Sequence, residues 1–257
     1  MTLATPLAVR SSAPPPALEP ELRAFAASMP AAYRRSISPE LIAIHARTAA
    51  RRGTRLVSVA LAAEQRNGGA LCIVTDDRPG LLWLLSAALT AHELDVVRAH
   101  ISCRRRADGR TEAVDLFWVR RKETMLPSPL TAREVDELAV TIERLLRSEC
   151  APALDVPIDA GSAPARAPAQ VSFVVDSETG AAMLVVEAPE RPGLLLAITR
   201  ALFEENVQIA RAEVATLGSH ALETFYVLEL DGGPISSSRR ADIEAAARAA
   251  IAKARRG

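Results

Sequence analysis

Lysine is nearly absent from this 257-residue chain: Lys122 and Lys253 are the whole complement, and arginine carries the remaining positive charge. That is a compositional bias rather than a functional signal. Basic and acidic residues balance, 31 against 31, so there is no positive excess to draw the chain to a nucleic-acid backbone or an anionic membrane surface. No apolar run reaches the ~20 residues that cross a bilayer. Pro14, Pro15 and Pro16 interrupt the weakly apolar start, which excludes a signal-peptide hydrophobic region. Cysteine is scarce. Cys72, Cys103 and Cys150 are far apart and form no C-x-x-C pair, so they predict small buried hydrophobes in a reducing cytoplasm rather than disulfides or a zinc site. The four histidines, His45, His92, His100 and His220, are scattered without ligand spacing. Neither a metal nor a cofactor is expected.

What the chain does have is a repeat. Asp77-Arg78-Pro79-Gly80-Leu81-Leu82 returns as Glu190-Arg191-Pro192-Gly193-Leu194-Leu195. Each copy follows a short apolar run and opens a segment of helical period, so each reads as strand, tight Pro-Gly turn, helix. A shift of 113 positions superposes the Arg-Pro-Gly triplets. It also sets Leu81, Leu82, Leu85 and Leu89 on Leu194, Leu195, Ile198 and Leu202, one face of a helix. Val96, Arg98 and Ile101 then fall on Ile209, Arg211 and Val214 in an alternating strand. A hairpin follows in both copies, longer by five residues in the first, and aligns Asp115 through Val119 with Glu223 through Val227. Second helices are predicted over about 131–147 and 238–253. Strand, helix, strand, strand, helix, with 171–175 as a fourth strand completing the first copy, is the split ferredoxin-like βαββαβ order of an α+β fold. Its uncovered sheet face is also apolar, which predicts that the copies, or two chains as a homodimer, pack sheet to sheet or edge to edge.

Ahead of the repeats, residues 1–20 are rich in Pro, Ala and Ser and predict disorder, and 21–53 is helical, with Ser38-Pro39-Glu40 as a helix start and Gly53 as its end. Residues 54–62 alternate as a strand and Asn67-Gly68-Gly69 marks a turn. Residues 54–178 are expected to form the first unit, ending in the Pro/Ala-rich linker 151–169 and its strand, and 179–257 the second.

The pattern D-R-P-G-L-L, a helix, then I-A-R-A-E-V-A-T-L-G and E-T-F-Y-V resembles the ACT domain, a small ligand-binding regulatory module. The pairing of two such units is most similar to the C-terminal region of the PII-protein uridylyltransferase/uridylyl-removing family, and the resemblance covers roughly residues 28–251. That family's nucleotidyltransferase domain carries an Asp-x-Asp pair and its phosphohydrolase domain a His-Asp dipeptide. Neither occurs in this chain, so the resemblance implies the sensory part without catalysis. It also implies an amino-acid effector, glutamine first, bound where the turn of one unit meets the edge of the next.

On that basis the candidate ligand residues are Asp77, Arg78, Pro79, Gly80 and Leu81 in the first turn and Glu190, Arg191, Pro192, Gly193 and Leu194 in the second. Backbone N–H groups around Gly80 and Gly193 would hold a carboxylate. Asp77 and Glu190 would either accept from the ligand's ammonium or serve the helix as dipole partners. The family places a carboxamide at the start of the second strand. Gln208 matches that position in the second copy, whereas Asp95 departs from it in the first. Arg98 and Arg211 are expected to pair with Asp115 and Glu223 across the hairpins. Arg104, Arg105, Arg106, Arg110, Arg120, Arg121 and Lys122 would gather at the ends of the first hairpin as a solvated basic patch. The expected function is a cytoplasmic, non-catalytic amino-acid sensor that regulates an enzyme or nitrogen-regulation protein. The rivals are a ligand-free interaction module and the sensory fragment of a longer enzyme. Met1 ahead of a disordered start is expected to mark a free-standing chain.

Overall fold

The structure is a computed structural model, and it describes residues 19–122, 126–148, 169–177 and 179–253. The start through residue 18, nearly all of the linker, and Cys150 lie outside those residues. Helices α1 (Glu19–Ser28), α2 (Ala31–Ser36) and α3 (Pro39–Arg52) come first. The α3 start is the expected one: Ser38 accepts from the Leu41 N–H and Pro39 occupies the first turn. Then come β1 (Val57–Gln65), β2 (Gly68–Asp76), α4 (Leu81–Ala91), β3 (Leu94–Ile101), β4 (Cys103–Arg105), β5 (Thr111–Arg121) and α5 (Ala132–Arg147). The second half repeats the order with β6 (Gln170–Val175), β7 (Ala182–Pro189), α6 (Leu194–Glu204), β8 (Val207–Leu217), β9 (His220–Glu229) and α7 (Ser237–Lys253).

The described residues form an α+β fold with one nine-stranded antiparallel sheet, ordered β1-β2-β5-β3-β8-β9-β7-β6, with the short β4 on β5. The halves join edge to edge, because β3 pairs antiparallel with β8, its counterpart in the repeat, from Arg98↔Ala215 to Ile101↔Ala212. The contact is therefore reciprocal. Both strands carry the same bulge, between Val96 and Arg98 and between Ile209 and Arg211. It turns Ala99 and Ala212 back toward the buried side.

One expectation is corrected. Residues 171–175 do not complete the first half. β6 pairs with β7, from Gln170↔Glu187 to Val175↔Ala182. The outer position beside β2 is taken by β1. Each half thus runs strand, strand, helix, strand, strand, helix, with its outer strand first. The reason is locality: a hairpin partner a few residues away closes a shorter loop than a strand beyond the linker. The β1–β2 turn needs glycine. Gly68 has φ +107°, and a Cβ there would lie 2.0 Å from the Val119 carbonyl oxygen.

One face of the sheet is covered by α4, α5, α6 and α7, and its core runs through both halves via Leu85, Phe117, Leu138, Ile198, Phe225 and Ile243. The opposite face of the first half is covered by α1–α3, where Phe25, Met29, Tyr33 and Ile37 pack on Cys72, Val74, Val114 and Leu116. Under this cover the Tyr33 hydroxyl meets His45 Nδ1, and burial pushes His45 down to about 4. The cover is tied down by buried Glu112, whose carboxylate meets Arg52 at 2.8 Å, Arg104 at 2.7 Å and Arg106 at 3.4 Å. The expected solvated basic patch is thus largely neutralised: Arg110 meets Asp108 at 3.0 Å, and Arg121 meets Glu134 at 2.7 Å. Removing one partner of a buried ion cluster strands the rest. Glu112→Ala is therefore expected to lower stability by about 3–5 kcal/mol in urea unfolding followed by far-UV circular dichroism.

Candidate functional site

The two Arg-Pro-Gly turns are near-identical. Gly80 and Gly193 both have φ +75° and ψ +7°, precede the first residue of α4 and α6, and receive no side-chain cap. The first helical N–H of each is used by the turn itself, Leu81 donating to Arg78 O at 3.1 Å and Leu194 to Arg191 O at 3.3 Å, and the N–H groups that follow lack an acceptor within the helix. The backbone of each turn is fixed from its own hairpin: the Asp77 N–H donates to Thr111 O at 3.0 Å and the Glu190 N–H to Ser219 O at 2.9 Å. The arginines reach the far end of their own half. Arg78 donates to Leu146 O at 2.9 Å and Arg191 to Ile251 O, the last turns of α5 and α7. Arg78 and Pro79 are exposed, whereas Leu81 and Leu194 are buried in the core.

Because β3 pairs with β8, each turn faces the other half. The first seam is lined by Asp77, Gly80 and Leu81 with Cys103 and Asp115 of the same half, and by Thr199, Phe203 and Gln208 of the second half. The second seam is its counterpart: Glu190, Arg191, Gly193, Leu194 and Glu223, with Ser86, Thr90 and Asp95 supplied by the first half. The strand-start residues Gln208 and Asp95 thus both reach a seam, each opposite the other copy's turn. Pro79 and Pro192 line neither cavity. Each cavity measures about 20 Å³, room on the order of one water.

The seams differ in their plug. Phe203 stacks on Trp83 with ring centroids 5.0 Å apart, and a Cβ on Gly80 would lie 2.6 Å from the Phe203 ring. The position equivalent to Phe203 in the first copy is Thr90, so hydroxyls line the second seam where an aromatic ring closes the first. Across the second seam Arg120 meets Glu190 at 3.4 Å; within its own half Glu190 accepts at Oε2 from Thr216 Oγ1 at 3.0 Å.

Asp115 and Glu223 correct a second expectation. They do not pair with Arg98 and Arg211. Alternation along β5 and β9 puts Asp115 with Ala113 and Phe117, and Glu223 with Ala221 and Phe225, on the helix-covered side. The arginines lie on the other face, Arg98 over Trp118 at 4.8 Å and Arg211 over Tyr226 at 4.6 Å. Asp115 Oδ1 accepts from the Ser102 N–H at 3.3 Å; its Oδ2, Glu223 Oε2 and Gln208 Oε1 are buried without a hydrogen-bond partner. Burial drives the Asp115 carboxyl well above the usual carboxylate range, with the charge of Asp77 adding to it. Burial, reinforced by Glu190, raises Glu223 to about 8. Asp77 and Glu190 are themselves raised by burial, and so is the Cys103 thiol beside Asp77. These two acids were missed as site residues, although a strict period-two reading of Ala113-x-Asp115-x-Phe117 puts the acid on the apolar side. Among the described residues no cluster of three or more His, Cys, Asp or Glu could hold a metal ion.

No protein-family model matches the chain. Two curated relatives are both bifunctional uridylyltransferase/uridylyl-removing enzymes. That of Phenylobacterium zucineum is 28% identical over 92% of this chain and 25% of its own length. That of Rhodospirillum rubrum is 30% identical over 70% of this chain and 19% of its own length. The chain therefore spans a quarter or less of the relatives it matches. A solved structure of an unknown protein from Galdieria sulphuraria is 15% identical with a TM-score of 0.25, too low to bear on the fold. No helix among the described residues is long and apolar enough to cross a membrane.

Two measurements check this geometry. A carboxyl raised on folding contributes stability that is full below its unfolded value near 4.5 and is lost as pH rises through about 8. Glu223→Gln is expected to abolish that loss, so that its stability gain over the wild type grows by on the order of 3 kcal/mol between pH 5 and 8.5 in urea unfolding. Gly80→Ala, strained by its φ and by Phe203, is expected to cost about 2 kcal/mol, and Phe203→Ala in the same chain to couple with it by at least ~0.5 kcal/mol.

Proposed function

We propose that the chain is a non-catalytic regulatory module built of two tandem ACT-type, ferredoxin-like units that senses a small amino acid, with glutamine the first candidate. The reading is carried by the reciprocal seams: each brings an uncapped helix start from one half against the opening of a polar strand from the other. A ligand carboxylate suits the turn N–H groups, and Gln208 suits an amide. The relatives are named for uridylyl transfer and removal, which supports reading the regulated partner as an enzyme of that class or a nitrogen-regulation protein. The Asp-x-Asp and His-Asp patterns of that chemistry do not occur in this sequence, and no catalytic step is assigned to its residues.

The seams hold space for about a water, so an amino acid requires α4 and α6 to part. Ligand would thus select an open arrangement of the halves, and its differential affinity for that state is the signal passed on. The same small volume favours a second reading, a ligand-free interaction module.

The deciding experiment is calorimetric titration with the twenty amino acids, glutamine first. Saturable binding is expected, with a change in Trp83 fluorescence as its stack on Phe203 opens. Gly193→Val is expected to abolish binding in the second seam while circular dichroism stays unchanged. Absence of heat with every amino acid would select the interaction module.

A further inference from the structure

The first seam offers one hydrogen-bond pattern that the fold itself leaves unused. Asp115 is fully enclosed, yet one carboxyl oxygen has only a long bond from the Ser102 N–H and the other has none. The second seam repeats this with Glu223, whose Oε2 has no partner. In a strand whose neighbours on the same face are Ala113 and Phe117, or Ala221 and Phe225, an apolar side chain would avoid the cost of burying an acid. Arg98 and Arg211 stand on the opposite face, and the cation beside Glu223 is Arg191 of its own turn. Both copies nevertheless place an acid at this point of the hairpin, one side chain a methylene longer than the other.

Each acid shares its seam with at least one other carboxyl group. Asp115 shares its seam with Asp77 and Arg78 from the turn, Cys103 from β4, and Gln208 and Thr199 from the second half. Glu223 faces Glu190 and Arg191 from the turn, Asp95 from β3, and Ser86 and Thr90 from α4, with Arg120 held on Glu190. Carboxyl groups sharing a seam draw a cationic nitrogen, with the turn arginine opposing. The helix start, where N–H groups favour an anion, lines the same cavity. A zwitterion carries one charge for each of these two features.

We propose that Asp115 and Glu223 are the receptors for the ammonium group of the ligand, one in each seam, while the turn N–H groups hold its carboxylate. This rests on the reading of the seams as amino-acid sites. At neutral pH the Glu223 carboxyl enters the encounter largely protonated, and burial favours the protonated form of Asp115 as well. As the ammonium arrives, the carboxyl O–H proton leaves to bulk buffer, the carboxylate remains with the ammonium, and the ligand keeps its own three N–H protons. Binding therefore releases the proton of each carboxyl that enters protonated, and affinity rises with pH until the free carboxyl is already ionised. Such charge-assisted contacts explain why a module with so little open volume would discriminate an amino acid from its des-amino analogue.

The test uses the full chain with side-chain carboxyls labelled with carbon-13. Asp115 and Glu223 resonances are assigned from Asp115→Asn and Glu223→Gln. The probes are L-glutamine, the other nineteen amino acids, glutaric acid monoamide, which lacks the ammonium, and methylammonium chloride. Saturating glutamine is expected to move both carboxyl resonances to their ionised positions. Calorimetry in two buffers of different ionisation enthalpy should read a net release of protons on binding. The double variant should bind about 30-fold more weakly or worse, and release none. Glutamine binding with both carboxyls still protonated, equal affinity for the monoamide, or unchanged binding by the double variant would overturn the assignment and leave the sensor standing. If no amino acid binds but methylammonium ionises the two acids, the receptors are real and the amino-acid reading fails. If no probe ionises them, the assignment is overturned. The wild-type resonances decide the matter even if a variant does not fold.

Discussion

The pairing of β3 with β8 is the constraint from which the rest follows. Four residue pairs join two repeats of one supersecondary pattern into a single sheet. Because the strands are equivalent and run antiparallel, whatever one half presents at the joint, the other presents back. The four helices of the covered side then fall into one layer over one core, and α4 packs against α6 above the joint. The bulge shared by β3 and β8 twists both strands at the place where Asp95 and Gln208 approach the opposing turns. Without the pairing, each turn would be an ordinary helix start at the end of a half-molecule.

The opposite face breaks the equivalence. Three helices from the N-terminal segment cover the first half and are pinned through Arg52 and Arg104 to Glu112. In the second half Met183, Val185, Leu222 and Tyr226 remain half-exposed on that side. The repeat is therefore symmetric where the seams are and asymmetric behind them. Motion at a seam has two different backings: one packed and ion-bound, the other a bare sheet.

Much of this was readable in the sequence. The 113-residue offset located both turns, both helical stripes and both hairpins. The helix starts at Ser38 and Thr131 follow from local chemistry, and Thr131 closes a capping box with Glu134. Edge-to-edge joining was one of the expected packings. The outer strands were misassigned because periodicity marks a strand without naming its neighbour, and residues 171–175 lie next in sequence to both halves. Charge misled at the hairpins. Arg98 and Asp115 look like cross-strand partners, but the bulge and the two-residue alternation put them on opposite faces. The crossing of Gln208 to the first turn and of Asp95 to the second depends on which strands meet at the joint. No local pattern encodes that. The placement of each candidate residue is thus structural knowledge, while its role toward a ligand is the proposal made above.

Reciprocal seams also reshape how the two copies can diverge. Gly80 does not face its own half's helix partner but Phe203, and Gly193 shares its seam with Thr90. A substitution in one turn is therefore answered in the other repeat, more than a hundred positions away in the chain. Within this architecture the repeats cannot drift as independent domains. Covariation should link position 80 with 203 and position 193 with 90 more strongly than it links either turn to the strand start of its own repeat.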